Sequence, residues 1–238
     1  MTQLMYGRNV AKQLLTDPRK VHRVYLAGTD RELEAMCRKH NIRVEHTDRR
    51  SLNKLAGTDR HQGVVVEIDP YQTVPVADLV NGRKGEYGFI ILLDELEDPH
   101  NLGAVLRTAD AAGADGVIFK KTHSASLTPT VAKVSAGAID TVKCTAVTNL
   151  TRTAQELKKQ GYWIVGADMD GVDYRTLNYD FNTVLIIGNE GKGISRLLSE
   201  QCDYIVSLPM RGTIQSLNAS VSAGILMYGI DAARHPVK

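Results

Sequence analysis

The chain has 238 residues, 43% of them hydrophobic and 24% charged, and its 29 Lys and Arg against 27 Asp and Glu leave a net charge of +2. This composition is typical of a folded globular protein and excludes fibrous and disordered classes. Because no stretch approaches about 18 uncharged apolar residues and residues 1–11 lack a secretory-signal core, we expect no membrane span and a cytoplasmic location.

The first 70 residues alternate between helical and extended patterns. Helices are predicted at 9–15, 30–40 and 51–56, and strands at 21–27, 42–46 and 63–68. We therefore expect a small α/β domain over 1–70, followed by a Pro- and Gly-containing linker over 71–86 with one helical turn at 76–80. Residues 1–84 carry 15 basic and 10 acidic side chains, against 14 and 17 in 85–238. A basic front domain suits an RNA phosphate backbone, although a solvated charged face explains the same pattern.

The remainder, 87–238, predicts a second and larger α/β domain. Nearly continuous apolar runs predict strands at 89–93, 116–119, 162–167, 183–187 and 204–208. Helical patterns lie between and after them, at 101–112, 130–137, 151–160, 194–200 and 218–233. Repeated strand–helix units of this kind form a mainly parallel sheet, and ligands bind at the carboxyl ends of its strands.

Common nucleotide motifs and metal motifs are absent. Neither the G-x-x-x-x-G-K-[ST] phosphate loop nor a G-x-G-x-x-G turn after the strand at 89–93 occurs, which disfavours a dinucleotide-dependent oxidoreductase. The cysteines Cys37, Cys144 and Cys202 are far apart and lack metal-binding spacing, so reduced, buried thiols are expected. The acidic residues of 94–98 suit a solvated strand end better than a metal site, and no metal is expected.

Three polar segments each follow a predicted strand of the second domain. They read DPHNLGAVLRTA at 98–109, LIIGNEGKGI at 185–194, and IVSLPMRG at 205–212 followed by SLNASVS at 216–222. Together these segments closely resemble the signature motifs of the SpoU/TrmH family of RNA ribose 2′-O-methyltransferases, in the SPOUT class. The front domain resembles the ribosomal-protein-like RNA-binding domain of family members that act on large-subunit ribosomal RNA.

The resemblance implies the fold, the cofactor and the substrate class. The expected fold is α/β, with a small N-terminal RNA-binding domain and a C-terminal, mainly parallel sheet that contains a trefoil knot, a rare exception to the usual topology rules. The expected cofactor is S-adenosylmethionine, and the expected assembly is a homodimer with shared sites. Because only RNA carries the 2′-hydroxyl, the substrate is RNA and not DNA. A guanosine of large-subunit ribosomal RNA is favoured; transfer RNA and a non-catalytic RNA-binding or ribosome-assembly role are the alternatives.

Five residues match the family's catalytic positions. Arg107 is expected to anchor phosphate and stabilise charge, because guanidinium normally stays protonated. Asn101 is expected at the N-cap of its helix and in substrate positioning. Glu190 is expected to orient the arginine or the partner subunit. Ser216 and Asn218 precede the final helix; the resemblance implies that they position hydroxyls and the ribose, and capping of that helix is the alternative.

The cofactor positions that the resemblance implies lie in the second and third segments. The backbone at Gly188 should contact the cofactor, and Leu208 and Leu217 should hold the adenine. The further expected cofactor contacts are Ile187, Asn189, Gly191, Met210 and Asn218. Arg211 departs from the small or apolar residue usual in the third segment.

Overall fold

A computed structural model describes residues 2–16 and 18–236, and the chain divides into two compact units, one up to Tyr71 and one from Gln72 onward. Within the described ranges, no helix is both long enough and apolar enough to cross a membrane.

The first unit is a four-stranded mixed sheet with helices packed on it. Its helices are α1 (Arg8–Leu14), α2 (Arg31–Lys39) and α3 (Arg49–Ala56). Its strands are β1 (Gln3–Tyr6), β2 (Val21–Leu26), β3 (Arg43–His46) and β4 (Val64–Ile68). They lie in the order β1-β4-β2-β3, with only β2 and β3 parallel. A core of buried apolar side chains joins α1 and α2 to β2 and β4.

The second unit contains a six-stranded sheet in which every neighbouring pair is parallel. Its strands are β5 (Phe89–Leu93), β6 (Gly116–Lys120), β7 (Lys143–Val147), β8 (Tyr162–Asp173), β9 (Asn182–Ile187) and β10 (Tyr204–Ser207). The order is β10-β8-β9-β5-β6-β7, so β9 and β5 are central. All five residues of β5 are buried, as expected for a strand covered on both faces. The expected α/β architecture with a mainly parallel C-terminal sheet is confirmed.

Helices cover both faces of this sheet. They are α4 (Val76–Asn81), α5 (Pro99–Ala111), α6 (Pro129–Val134), α7 (Ala138–Thr141), α8 (Leu150–Lys159), α9 (Arg196–Ser199) and α10 (Ala219–Arg234). Leucines of α4, α8 and α9 pack with strand residues in one core. Successive side chains of a strand point to opposite faces of the sheet. Helices α5 and α10 pack against each other, and they also contact β6 and β9, respectively.

Some elements differ from their sequence-based prediction. The helical turn expected at 76–80 is present as α4, but its Leu79 is fully buried in the core of the second unit, which was not expected of a linker segment. Strands β1 and β7 were not predicted. The helix predicted at 130–137 ends at Val134, because Ala136 and Gly137 adopt positive φ values of 51° and 95°, which an α-helix does not allow.

Candidate active site

A cavity of about 1100 Å³ opens at the carboxyl ends of β8, β9 and β10. This is the edge at which open parallel sheets bind ligands. Its walls are the ends of these strands, the loops that follow β9 and β10, and the start of α10. The expected residues that line it are Ile187, Gly188, Asn189, Glu190, Gly191, Leu208, Met210, Ser216 and Leu217.

The loop after β9 is closed by its own backbone. The Asn189 amide donates to the Gly193 carbonyl at 3.0 Å, and the Gly193 amide donates back at 2.9 Å. Side-chain atoms of Asn189 also bond within this region, since Nδ2 donates to the Glu95 carbonyl at 2.9 Å and Oδ1 accepts from the Gly191 amide at 2.9 Å. A Cβ at Gly188 would lie only 2.3 Å from the carbonyl carbon of Gly193. Gly188 is therefore required by the loop's own backbone.

A bulge in β8 places two further residues in the cavity wall. Ile205 of β10 pairs with Gly166, but the next residue, Val206, pairs with Val172, so residues 167–171 leave the ladder. Asp168 and Met169, which belong to this bulge, line the cavity. Neither was predicted as a site residue. Their position after the strand predicted at 162–167 was the available signal, because ligands bind at strand ends.

The carboxylate of Glu190 joins two asparagines from distant parts of the chain. Its Oε1 accepts from Asn101 Nδ2 at 2.9 Å and from Asn218 Nδ2 at 2.6 Å. Asn218 Nδ2 also donates to Asn101 Oδ1 at 3.0 Å. The Ala219 amide donates to the same Glu190 oxygen at 3.4 Å. Three of the five expected catalytic residues thus form one hydrogen-bonded group, which we call the Asn–Glu–Asn network (Asn101, Glu190, Asn218).

The capping predictions for the two asparagines have different outcomes. Asn218 is the N-cap of α10, with Oδ1 accepting from the Ser220 amide at 3.0 Å, as expected. The expectation for Asn101 is wrong, because the N-cap of α5 is Asp98, whose carboxylate accepts from the His100 amide at 2.8 Å. Asn101 lies buried in the first turn instead, which leaves its whole amide for the network.

Arg107 lies away from this cavity. Its exposed side chain borders a separate cleft of about 480 Å³, together with Ser135, Ala136, Gly137 and Thr141. Within the described part of the chain, the Arg107 side chain makes no hydrogen bond or ion pair, and its neighbour Asp110 accepts from the Thr141 hydroxyl at 2.8 Å. An orienting contact from Glu190 to Arg107 is thus absent within one protomer.

The acidic residues at the end of β5 have structural partners. The buried Asp94 accepts from the Ser195 amide at 2.7 Å, and Glu95 pairs with Lys120 at 3.1 Å, which lowers the pKa of Glu95. Among the residues that the structure describes, no group of three His, Cys, Asp or Glu side chains could hold a metal ion.

Comparison with known proteins gives matches in both units. Residues 88–228 match the model of the SpoU rRNA methylase family, and residues 4–74 match that of the RNA 2′-O ribose methyltransferase substrate-binding domain. The protein YacO of Bacillus subtilis (strain 168), assigned to the TrmH family of tRNA/rRNA methyltransferases, is 41% identical over 97% of this chain and 96% of its own length.

Two solved structures have the same fold. The SpoU methyltransferase AviRb from Streptomyces viridochromogenes gives a TM-score of 0.66 at 25% identity, over 98% of this chain and 90% of AviRb. An AdoMet-bound rRNA methyltransferase from Sinorhizobium meliloti gives a TM-score of 0.66 at 24% identity, over 100% of this chain and 88% of its own. This similarity shows the shared fold alone.

Proposed function

This chain belongs to the SpoU rRNA methylase family, and we propose that it transfers the methyl group of S-adenosylmethionine to a ribose 2′-hydroxyl in RNA. The observation that carries the proposal is the Asn–Glu–Asn network, whose Glu190 lines the strand-end cavity, on a chain that also has the family's RNA substrate-binding domain. A ribose hydroxyl is a weak nucleophile, so its placement in line with the methyl group is the main task, worth up to about 7–11 kcal/mol.

The cavity fits S-adenosylmethionine, which when bound supplies an electrophilic methyl group. A volume of about 1100 Å³ is ample for a ligand of this size. Leu208, Leu217 and Ile187 offer apolar surface for the adenine, and Met210 adds a polarizable thioether. We place the remainder of the cofactor against the backbone of Gly188, Asn189 and Gly191, which line the cavity. Asn218, also expected to contact the cofactor, is not among the lining residues, and its side-chain amide is engaged by Glu190, Asn101 and the start of α10.

We assign the chain's own residues as follows. Asn101 and Asn218, held by Glu190, fix the edge of the cavity where the ribose must enter, and Ser216 presents a hydroxyl beside them. Arg107 anchors an RNA phosphate, because an unpaired guanidinium offers five N–H donors in the fork that matches phosphate oxygens. The proton of the attacking hydroxyl passes to phosphate or water, since Arg107 stays protonated.

The position of Arg107 outside the cavity supports a homodimer in which one protomer's arginine completes its partner's site. Helix α10 begins at the Asn–Glu–Asn network and carries an exposed apolar stripe along its first three turns. The stripe consists of Val221, Ile225 and Tyr228, which are 50%, 37% and 50% exposed. A second copy covering this stripe would bring another α5 to the site, because α5 packs beside α10.

Subunit mixing tests the shared site. We expect Arg107→Ala and Glu190→Ala homodimers to be nearly inactive, and their co-expressed heterodimer to regain one intact site of two. If the sites were complete within single protomers, the heterodimer would stay as inactive as either parent. Sedimentation as a monomer at full activity would also refute the shared site.

For the substrate, we propose a guanosine in large-subunit ribosomal RNA, acted on in the cytoplasm. The basic front unit and the substrate-binding match support an RNA that extends beyond the methylated nucleotide. The target belongs in a loop or junction, because an A-form helix gives side chains poor access to the bases of its deep groove.

The test is transfer of labelled methyl from S-adenosylmethionine to unmodified large-subunit ribosomal RNA and, separately, to bulk transfer RNA. We expect 2′-O-methylguanosine in the ribosomal RNA, a loss of about 10²-fold in Arg107→Ala, and normal transfer by the control Arg152→Ala, an exposed arginine of α8. Label only in transfer RNA would overturn the substrate. RNA binding without label in either would favour the non-catalytic role.

We also propose that the chain is knotted. After the edge strand β10, residues 208–218 return across the ends of β8 and β9 to reach Asn101, which follows the central strand β5. That path supports the trefoil knot that the resemblance implies. Single-molecule pulling from the termini should stop short of the full contour length of about 3.6 Å per residue; extension to full length would contradict a knot.

A further inference from the structure

The carboxylate of Asp168 lies at the strand-end cavity and has almost no hydrogen-bond partner among the described residues. Its residue is half-buried and lines the wall, and its only hydrogen bond within the described ranges is a 3.5 Å contact of Oδ1 with the Asp170 amide. No Lys, Arg or His of the described residues forms an ion pair with it. The other cavity acid, Glu190, already accepts three N–H groups. Asp168 therefore has acceptor capacity left for a ligand.

The bulge that carries Asp168 is firmly anchored. Ser207 Oγ donates to the Gly171 carbonyl at 2.8 Å, and a Cβ at Gly171 would lie 2.6 Å from the carbonyl carbon of Val206. On the other side, Asp168 Oδ2 lies beside Gly193, 3.5 Å from where a Cβ of that glycine would stand. These contacts fix the backbone of the bulge, and with it the position from which the Asp168 side chain reaches the rim.

The strand order gives the cavity rim a direction. Leu208 follows β10, Asp168 lies at the bulge of β8, Gly188 follows β9, and Asn101 lies in the helix after β5. Neighbouring strands are about 4.8 Å apart, a step comparable to that from base to ribose to sulfur in an adenosyl group. With the adenine at Leu208 and the reacting methyl near the Asn–Glu–Asn network, the ribose falls at Asp168.

We propose that the Asp168 carboxylate binds the 2′- and 3′-hydroxyls of the methyl donor's ribose, an inference that rests on the proposed function. A carboxylate has two oxygens and only accepts, so it matches a pair of hydroxyl donors. Acidic side chains do the same for ribose hydroxyls at strand ends of dinucleotide-binding sheets. Asp168 is thereby a specificity residue for the nucleoside portion of the cofactor.

The test is a comparison of two ligands by titration calorimetry on the full-length protein. S-adenosylhomocysteine carries both ribose hydroxyls, and its 2′,3′-dideoxy analogue carries neither. We expect the wild type to prefer S-adenosylhomocysteine by about 10- to 100-fold, the value of a charge-assisted hydrogen bond. Asp168→Ala should bring the two affinities within about threefold by weakening S-adenosylhomocysteine alone. The matched control, Asp170→Ala, changes an exposed acid of the same bulge outside the cavity wall and should keep the wild-type preference.

The outcomes separate this inference from the proposed function. If Asp168→Ala weakens both ligands equally, or neither, the ribose contact is refuted while the methyl-donor site stands. If the wild type binds neither ligand, both proposals fall. Tryptophan fluorescence unfolding curves for both variants show whether the fold is intact, and Asp168→Asn, which retains one acceptor oxygen, should give an intermediate preference.

Discussion

The guanidinium of Arg234 fastens the end of α10 to the start of the central sheet. Among residues 2–16 and 18–236, this half-buried side chain has no carboxylate partner, and it donates to main-chain carbonyls and one hydroxyl. The acceptors are the carbonyls of Phe181 at 2.7 Å, Tyr179 at 3.1 Å, Gly88 at 3.4 Å and Tyr87 at 3.5 Å, and Thr183 Oγ1 at 2.9 Å. Burial lowers the pKa of Arg234, yet a guanidinium remains charged at any pH at which proteins fold.

Arg234→Met retains the aliphatic stem and removes every donor. Each hydrogen bond from a charged group is worth about 1.5–3 kcal/mol, and three of the five are 3.1 Å or shorter. Water reaches part of the site and the effects of shared donors do not add, so we expect a loss of about 3 kcal/mol in the free energy of unfolding. Arg234→Lys should lose about half as much, because one ammonium reaches fewer of these acceptors.

The assay uses the only tryptophan of the chain, Trp163, which lies in the second unit with its ring centroid 5.7 Å from that of Phe181. Urea unfolding followed by its fluorescence reports on this unit. The protein concentration is held fixed, because the proposed dimer would make stability depend on it. A loss of 3 kcal/mol corresponds to a Tm lower by about 6–12 °C. The control Arg175→Met breaks an exposed ion pair and should leave the unfolding curve close to that of the wild type. If Arg234→Met lowered the free energy of unfolding no more than the control, Arg234 would not be what fastens α10 to the sheet.

Three other changes probe the site and the core. Glu190→Gln keeps an acceptor oxygen and should retain methyl transfer within about tenfold, whereas Glu190→Ala should lower the rate about 10²-fold. Equal transfer rates for the two variants would contradict a role for the Glu190 oxygen in the site. Gly188→Ala forces a Cβ against backbone and should lower the free energy of unfolding by about 1–3 kcal/mol, so an unchanged tryptophan unfolding curve would contradict that packing. Burial raises the pKa of Cys144 to about 12 and of Cys202 to about 11, so both thiols are protonated at pH 8 and ionise only as the pH approaches those values. Mass spectrometry should show alkylation of both about 100-fold slower in folded protein than in urea, and equal rates would argue against their burial.

Central strands were readable from the sequence because burial on both faces leaves an unbroken apolar run. The strand predicted at 89–93 is β5 residue for residue, and that predicted at 183–187 differs from β9 by one residue. The edge strands of the two described sheets are less uniform, because β3 and β10 were predicted whereas β1 and β7 were not. β1 and β7 are only four and five residues long, and each retains exposed or half-buried positions, so neither has a run that a pattern can detect.

The strand-end loops were predictable because the apolar runs show where the central strands end. The contacts between these loops were not predictable. The bond from Asn218 to Glu190 joins residues 28 positions apart, and that from Asn218 to Asn101 joins residues 117 apart. Such pairing depends on the path of the chain across the sheet, which periodicity does not encode. The bulge that exposes Asp168 is likewise a property of the β8–β10 register, visible only once both strands are placed.

Asn218 shows why capping and function need not be rival explanations. Its Oδ1 accepts from the first amides of α10, while its Nδ2 donates to Glu190 and Asn101. One amide side chain thus caps α10 and holds Glu190, which lines the cavity. The exposed stripe of α10 begins three residues later at Val221, so a subunit that packs on the stripe also sets the helix whose cap borders the cavity. If the chain dimerises through this stripe as proposed, dimer formation and site geometry are coupled through a single hydrogen-bonded residue, which is the arrangement required if Arg107 is to act in its partner's site.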